Sequence, residues 1–326
     1  METLTSVALR ARLCSALALA CLPLSLARGQ VPLVDHHQHI ASPTINQLLG
    51  APGAPGLPNS ARALVAYLDS AGIRRALVLS VAYQYGNPSR HVEHEYEHVK
   101  AENDWTSQQV ALFPDRLRAF CGVNPLKAYA LDEIDRCAKD PRLRAGLKLH
   151  FGNSDVDLHD TAQLAQLKRV FHAANVHGMP IVAHIHASVN KKRPYGRAEA
   201  LIVLDELLPA VPDIPVQIAH LAGAGSYDPP TDSAAAVFAE ALARHDPRVA
   251  RLYFDASGIG ITAMPPEQKT LMVRRMRQIG IERIFYGSDG AVPGHGPREY
   301  WAAFKTLPLT ETELRTIASN VAPYMR

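Results

Sequence analysis

Short apolar runs rich in Val, Ile and Leu alternate with longer stretches whose apolar residues recur at helical spacing. Eight such runs occur, at 31–38, 75–81, 117–123, 145–150, 180–186, 215–220, 252–256 and 283–287. Uninterrupted apolar runs of this length predict strands buried on both faces, as parallel sheets require. Helical patterns fall between them at 61–71, 95–113, 131–139, 161–177, 197–208, 233–244 and 267–279. Two more, at 297–305 and 310–319, close the chain. Local chemistry supports several boundaries: Asp160 and Thr161 cap the helix that ends at Gly178, and Gly280 ends the helix at 267–279. Strands alternating with helices predict an α/β fold, and eight units predict one (β/α)8 TIM barrel over 30–326. No Gly-rich dinucleotide fingerprint follows the first strand, which argues against an open doubly wound sheet.

The first twenty-nine residues break the rhythm. Arg10 and Arg12 precede a charge-poor Leu/Ala stretch from 13 to 27, a pattern like a secretory signal peptide and too short to span a bilayer. It predicts a periplasmic or secreted protein; if the segment is not a signal, the protein is cytoplasmic. Of the four cysteines only Cys121 and Cys137 lie beyond it. Two reduced core thiols are expected, with a single bridge open to them in an oxidising compartment. With 34 basic and 31 acidic residues the net charge is +3, too small an excess to imply a nucleic-acid or membrane-surface partner. A small-molecule partner remains.

The polar residues at the strand ends change the picture most. In a barrel of parallel strands, reactive groups come from the C-terminal ends of several strands. Here those ends read Asp35-His36-His37-Gln38-His39, Lys148-Leu149-His150, His184-Ile185-His186, Ala219-His220, Phe254-Asp255 and Gly287-Ser288-Asp289. Alternation puts Asp35, His37 and His39 on one face. So many polar groups at one end of apolar strands are costly to bury without a shared partner. Imidazoles and a carboxylate suit a divalent metal, zinc above all, with a position left for water. His184 and His186 both face inward, so the residues alone leave either as the strand-five donor. His94 and His98, with the glutamates around them, predict a solvated helix start; Lys191-Lys192-Arg193 predicts a solvated loop, and Trp105 a core residue.

Taken together, Asp35-x-His37-x-His39, Pro180-x-x-x-His184, Ala219-His220-Leu-Ala-Gly, Tyr286-Gly-Ser-Asp289, the internal Glu102-Asn-Asp-Trp and the tail Ser319-Asn-Val-Ala-Pro-Tyr resemble the amidohydrolase superfamily. The likeness is to the amidohydrolase-2 branch that includes aminocarboxymuconate semialdehyde decarboxylases. It implies one divalent ion, zinc by preference, held by His37, His39, His184 and Asp289. Asp289 would also serve as general base, with His220 as an electrostatic helper beside it. Lys148, His150, His186 and Asp35 would contact substrate or support the ligands. Such relatives often form dimers, so a homodimer is left open. The implied activity is hydrolysis of an amide, ester or lactone by metal-activated water. The alternative is metal-dependent decarboxylation of a small acid; His37 stands where some such decarboxylases carry Glu, which favours hydrolysis.

Overall fold

Eight strands pair side by side in chain order, all in parallel. They are β1 (Val34–Gln38), β2 (Arg75–Leu79), β3 (Leu117–Gly122), β4 (Leu147–His150), β5 (Ile181–His184), β6 (Val216–Ile218), β7 (Leu252–Asp255) and β8 (Ile284–Phe285). The last strand returns to the first, where the His36 N–H donates to the Tyr286 carbonyl at 2.9 Å. The architecture is therefore a TIM barrel, seen in a computed structural model that describes residues 30–50, 57–187, 193–290 and 296–326. The signal-like segment 1–29, part of the Pro/Gly-rich loop after β1, and Lys191 and Lys192 lie outside the described residues. Val31–Arg326 packs as one unit.

The surrounding helices are α1 (Pro43–Leu49), α2 (Ala61–Ala71), α3 (Glu95–Val110), α4 (Ala130–Lys139), α5 (Phe151–Ser154), α6 (Thr161–Val176), α7 (Arg197–Ile202), α8 (Pro229–Ala243), α9 (Pro266–Ile279), α10 (Pro297–Phe304) and α11 (Glu311–Ser319). Their starts follow side-chain caps. Asp160 accepts the N–H groups of Ala162 and Gln163 ahead of α6, and Thr310 with Glu313 forms a reciprocal capping box on α11. The α8 helix begins four residues before its expected start. Asp228 caps it and Pro229 occupies its first position, where a missing N–H costs nothing. The stretch expected as one helix from 197 to 208 tightens and loosens along its length, α7 running on into a π-turn at Val203–Leu207. α1 is absent from the sequence pattern because one turn or two leave no periodicity to detect.

Two layers make up the core. Strand residues such as Leu147, Ile181 and Phe254 pack outward against helix residues such as Leu167, Val170 and Met272. Inside the barrel, Val34, Leu77, Leu79, Phe120, Val182 and Phe285 fill the space, and Tyr324 and Met325 from the chain's end close its floor. The Tyr324 hydroxyl donates to the Gln217 side chain there. This leaves the opposite mouth, where the strands end, for polar groups.

Cys121 and Cys137 are joined in a disulfide between β3 and α4, buried and separated by 16 residues. The expectation of two free thiols is therefore corrected. Strand β3 presents Cys121 to the helix layer, and the α4 face that packs there carries Ile134 and Cys137. Once strand and helix pack, the two sulfurs have no other place to go.

Candidate active site

The register between β1 and β2 slips between Asp35 and Gln38. This bulge lets neighbouring residues of β1 share the barrel interior rather than alternate strictly. His36 turns to the packed side, stacking on Phe285 at 4.6 Å, with its ring nitrogens at the Tyr286 carbonyl (3.0 Å) and the Ala322 N–H (3.1 Å). His37 turns to the mouth. Its Nδ1 meets Asp255 at 3.1 Å, while Nε2 lies 3.1 Å from the Lys148 ammonium and 3.7 Å from Asp289. A proton on Nδ1 satisfies Asp255 and leaves the Nε2 lone pair facing the mouth. His39 repeats the device: Nδ1 donates to the Leu79 carbonyl at 2.6 Å and Nε2 lies 3.3 Å from Asp289. Such partners fix the tautomer of a metal-binding imidazole.

β6 ends abruptly. His220, Leu221 and Ala222 all have left-handed backbones, with φ of 57°, 51° and 68°. Three such non-glycine residues in a row are strained, and strain of this kind persists where the surroundings over-determine it. Here Asp255 accepts the His220 N–H at 3.1 Å, and the Tyr195 hydroxyl donates to the Ala222 carbonyl. The result aims the His220 ring: Nδ1 faces the Ser257 carbonyl at 2.8 Å and Nε2 lies 3.9 Å from Asp289.

Asp289 follows β8, itself left-handed at φ 53° and tied to β1 by its N–H to the His37 carbonyl at 2.9 Å. Two glycines make room for it. A Cβ on Gly287 would meet the His37 Cβ at 2.8 Å, and one on Gly258, at φ +61°, would meet Asp289 Oδ2 at 2.6 Å. Burial pushes the Asp289 carboxyl up, but His37, His39 and His220 around it win and hold it well below the usual carboxylate range. Asp255 behaves likewise beside His37 and His220. Burial lowers His37 to about 4 and Lys148 to about 8. Neutral imidazoles beside a carboxylate are the state a divalent cation requires.

β4 and β5 complete the wall. His150 and His184 lie opposite in register, their rings stacked at 3.9 Å, and the His184 ring meets His220 edge-on at 4.8 Å. Among the described residues, the Nε2 of His184 and the Nδ1 of His186 are both buried with no hydrogen-bond partner. His186 packs its ring on Tyr195 at 3.9 Å rather than on the imidazoles of the mouth. His150 Nδ1 accepts the Asn153 N–H at 3.1 Å, which starts α5. Asp35 sits below, accepting from the Ser288 N–H, the Ser288 hydroxyl, the Gln38 amide and the His37 N–H. Burial raises its carboxyl to about 6 against those donors.

A cavity of about 200 Å³ opens on these groups, lined by His37, His39, Lys148, His150, His220 and Asp289, by the amides Gln84 and Asn153, and by Leu49, Leu57, Val81 and Tyr83. A second, of about 530 Å³, meets Asp289 from the other side, along residues 258–263, Tyr300 and Ala303. A cavity of similar size, about 520 Å³, lies between Pro114 and Tyr324 and carries none of the residues at the mouth. Chemistry rather than volume marks the site. Among the described residues, His37, His220 and Asp289 offer donor atoms all within 4.8 Å of one another.

Every site residue singled out in the sequence is accounted for, and not all converge. His37, His39, His220, Asp289 and Lys148 meet directly; His184 and His150 flank them; Asp35 braces from beneath; His186 stands aside. Arg193 pairs with Asp155 and Asp157 instead of facing the cavity. His98 stacks on Tyr85 at 5.1 Å. Asp255 holds His37, and the sole sequence signal for it is an acid ending a strand. Tyr83 gives no signal at all, since it lies in a short turn after β2.

Comparison with known proteins agrees with this geometry. The family model described as amidohydrolase matches residues 34–322. The chain belongs to the amidohydrolase family. Its fold is similar to that of 5-carboxyvanillate decarboxylase from Sphingomonas paucimobilis, with a TM-score of 0.64, 16% identity, and coverage of 91% of this chain and 99% of that one. A 2,6-dihydroxybenzoate decarboxylase from Rhizobium gives a TM-score of 0.59 at 16% identity, covering 89% and 96%. A probable 2-pyrone-4,6-dicarboxylic acid hydrolase from Acinetobacter baumannii gives 0.55 at 16%, covering 88% and 96%. A search of curated proteins finds no match.

Proposed function

We propose that this chain is a metal-dependent carboxy-lyase acting on a small, ring-bearing carboxylic acid. The observation that carries this is the cavity of about 200 Å³, whose lining joins Lys148 and four imidazoles to the apolar side chains of Leu49, Leu57 and Val81. A void of about 150 Å³ suffices for a benzene ring, so one ring with a carboxylate fits. Asp289 is the one carboxylate lining it, and Lys148 supplies a buried ammonium, so the floor suits an anion. The decarboxylases of similar fold point the same way, and the order of the two sequence-based readings is reversed accordingly.

The donor set fits a divalent ion. Nε2 of His37 and His39 faces Asp289 with Nδ1 committed elsewhere, and the orphaned Nε2 of His184 is a buried polar atom in want of a partner. His37, His39, His184 and Asp289 would hold it, as manganese or zinc; a related-fold decarboxylase from Novosphingobium aromaticivorans is described with manganese. Such an ion supplies Lewis acidity to a substrate oxygen. Lys148 draws the carboxylate to the floor. Leu49, Leu57, Val81 and Tyr83 exclude water from the ring. The bond from ring carbon to carboxylate breaks, its electron pair stays on that carbon, and the carbon takes a proton that Asp289 relays from solvent water, Asp289 ending as ionised as it began, while CO2 leaves. His220 steadies the charge on Asp289 throughout.

Hydrolysis of a lactone or ester is the second reading, supported by His37 in the first donor position and by the hydrolase of similar fold. The two part on product. Metal-loaded protein given 2,6-dihydroxybenzoate, 5-carboxyvanillate and a panel of lactones is expected to release CO2 from an acid. Consumption of a lactone with no CO2 from any acid would make it a hydrolase. Export to the periplasm or beyond is inferred from the signal-like start, and the Cys121–Cys137 bridge supports it, since such bonds persist in oxidising compartments. Among the described residues no helix is long and apolar enough to cross a membrane.

A further inference from the structure

The apolar wall of the cavity carries an inference of its own, which rests on the reading of the site as one for small carboxylic acids. Four residues make that wall. Val81 and Tyr83 leave the end of β2 and are placed by the barrel. Leu49 and Leu57 are not: one ends α1 and the other lies beyond the loop that follows it.

Both pack on a cluster that includes Ala41, Ile45 and Val81, and one side chain adds the hydrogen bonds that fix Leu57. The Asn46 carbonyl oxygen accepts the Leu57 N–H at 3.2 Å. Its amide nitrogen donates to the Leu57 carbonyl at 3.1 Å and to the Ala41 carbonyl at 3.2 Å. The Ala41 N–H donates in turn to the Pro58 carbonyl at 3.0 Å. One carboxamide thus acts as a strand partner would, joining the exit of β1, the middle of α1 and the far side of the loop. The base of α1 is fixed separately. The Ser42 N–H donates to Glu102 Oε1 at 3.0 Å, and the Ser42 hydroxyl caps the Ile45 N–H at 3.3 Å. Glu102 is itself buried in α3.

An Asn bonding nearby backbone is commonly just a turn device. Here the residue it holds at both N–H and C=O lines the same cavity as His37 and Asp289, and among the described residues no other hydrogen bond holds Leu57. We propose that Asn46 is a positioning residue for substrate: it sets Leu57 as part of the wall that selects a ring-bearing acid over a short one.

Calorimetric titration of the metal-loaded protein with benzoate and with acetate tests this. Acetate reaches only the floor; benzoate also needs the wall. Asn46→Ala is expected to weaken benzoate by on the order of tenfold and leave acetate unchanged, the scale of a few lost apolar contacts. Leu57→Ala should reproduce that split. Asn46→Asp, which keeps the acceptor and loses both donors, should fall between wild type and Asn46→Ala. Equal losses for both acids in Asn46→Ala, or no loss for either, would overturn the proposal. A wild-type protein that binds neither acid overturns the carboxylic-acid reading beneath it, and the proposal with it.

Discussion

At the scale of single residues the site is a set of imidazoles whose free nitrogens have been chosen for them. Asp255 and the Leu79 carbonyl take the Nδ1 side of His37 and His39, so Nε2 is what remains. Removing that choice should cost metal: Asp255→Asn is expected to weaken the divalent ion by about 10- to 100-fold, read by competition with a fluorescent chelator. Asp289→Asn would remove both a proposed ligand and the proposed proton carrier, and turnover should fall by on the order of 10³ or more. A near-wild-type rate with metal bound would contradict the role given to Asp289. The proposed ligands were legible in sequence because His-x-His and the strand-end His and Asp are local signals. The supports were not, since Asp255 lies 218 residues from the His37 it holds. What separates His184 from His186 is visible only in the fold, where the first lies against His150 and His220 and the second against Tyr195.

At the scale of elements, the strands were legible and the devices that aim side chains were not. Runs buried on both faces announce parallel strands. A bulge in β1 and a left-handed exit from β6 leave no trace in a hydrophobic pattern, yet they decide where His36, His37 and His220 point. α1 escaped for the same reason and brings Leu49 to the cavity. The disulfide closes 16 residues between β3 and α4, so its loss should cost about 3 kcal/mol. A Cys137→Ala variant is expected to melt correspondingly lower, and an equal loss should follow reduction of the wild type. Glu102 gives the α1 anchor a pH dependence. Burial raises its carboxyl against the Ser42 donors, so the folded chain holds that proton more tightly than the unfolded one. The sign follows from linkage: its contribution is full below the ordinary Glu range and is lost as pH rises through the raised value. Glu102→Gln should flatten that fall in a series of melts from pH 4 to 8 (about the range of ordinary acid and neutral buffers).

At the scale of the molecule, the barrel sorts its chemistry by end. Tyr324 and Met325 plug one mouth with apolar bulk, and the C-terminal strand ends collect His37, His39, His184, His220, Lys148 and Asp289 at the other. That sorting is why a one-dimensional reading of strand ends picks out groups that the barrel brings to one mouth, while neighbours such as Leu57 and Tyr83 come from turns and loops, whose placement the sequence does not spell out. The central claim is one divalent ion held by β1, β5 and β8 together. Metal stoichiometry by mass spectrometry on protein reconstituted with manganese or zinc tests it most directly. The prediction is one ion per chain in the wild type and in His186→Ala, and none retained in His37→Ala or His184→Ala. Two ions in the wild type, or one kept in His184→Ala and lost in His186→Ala, would contradict it.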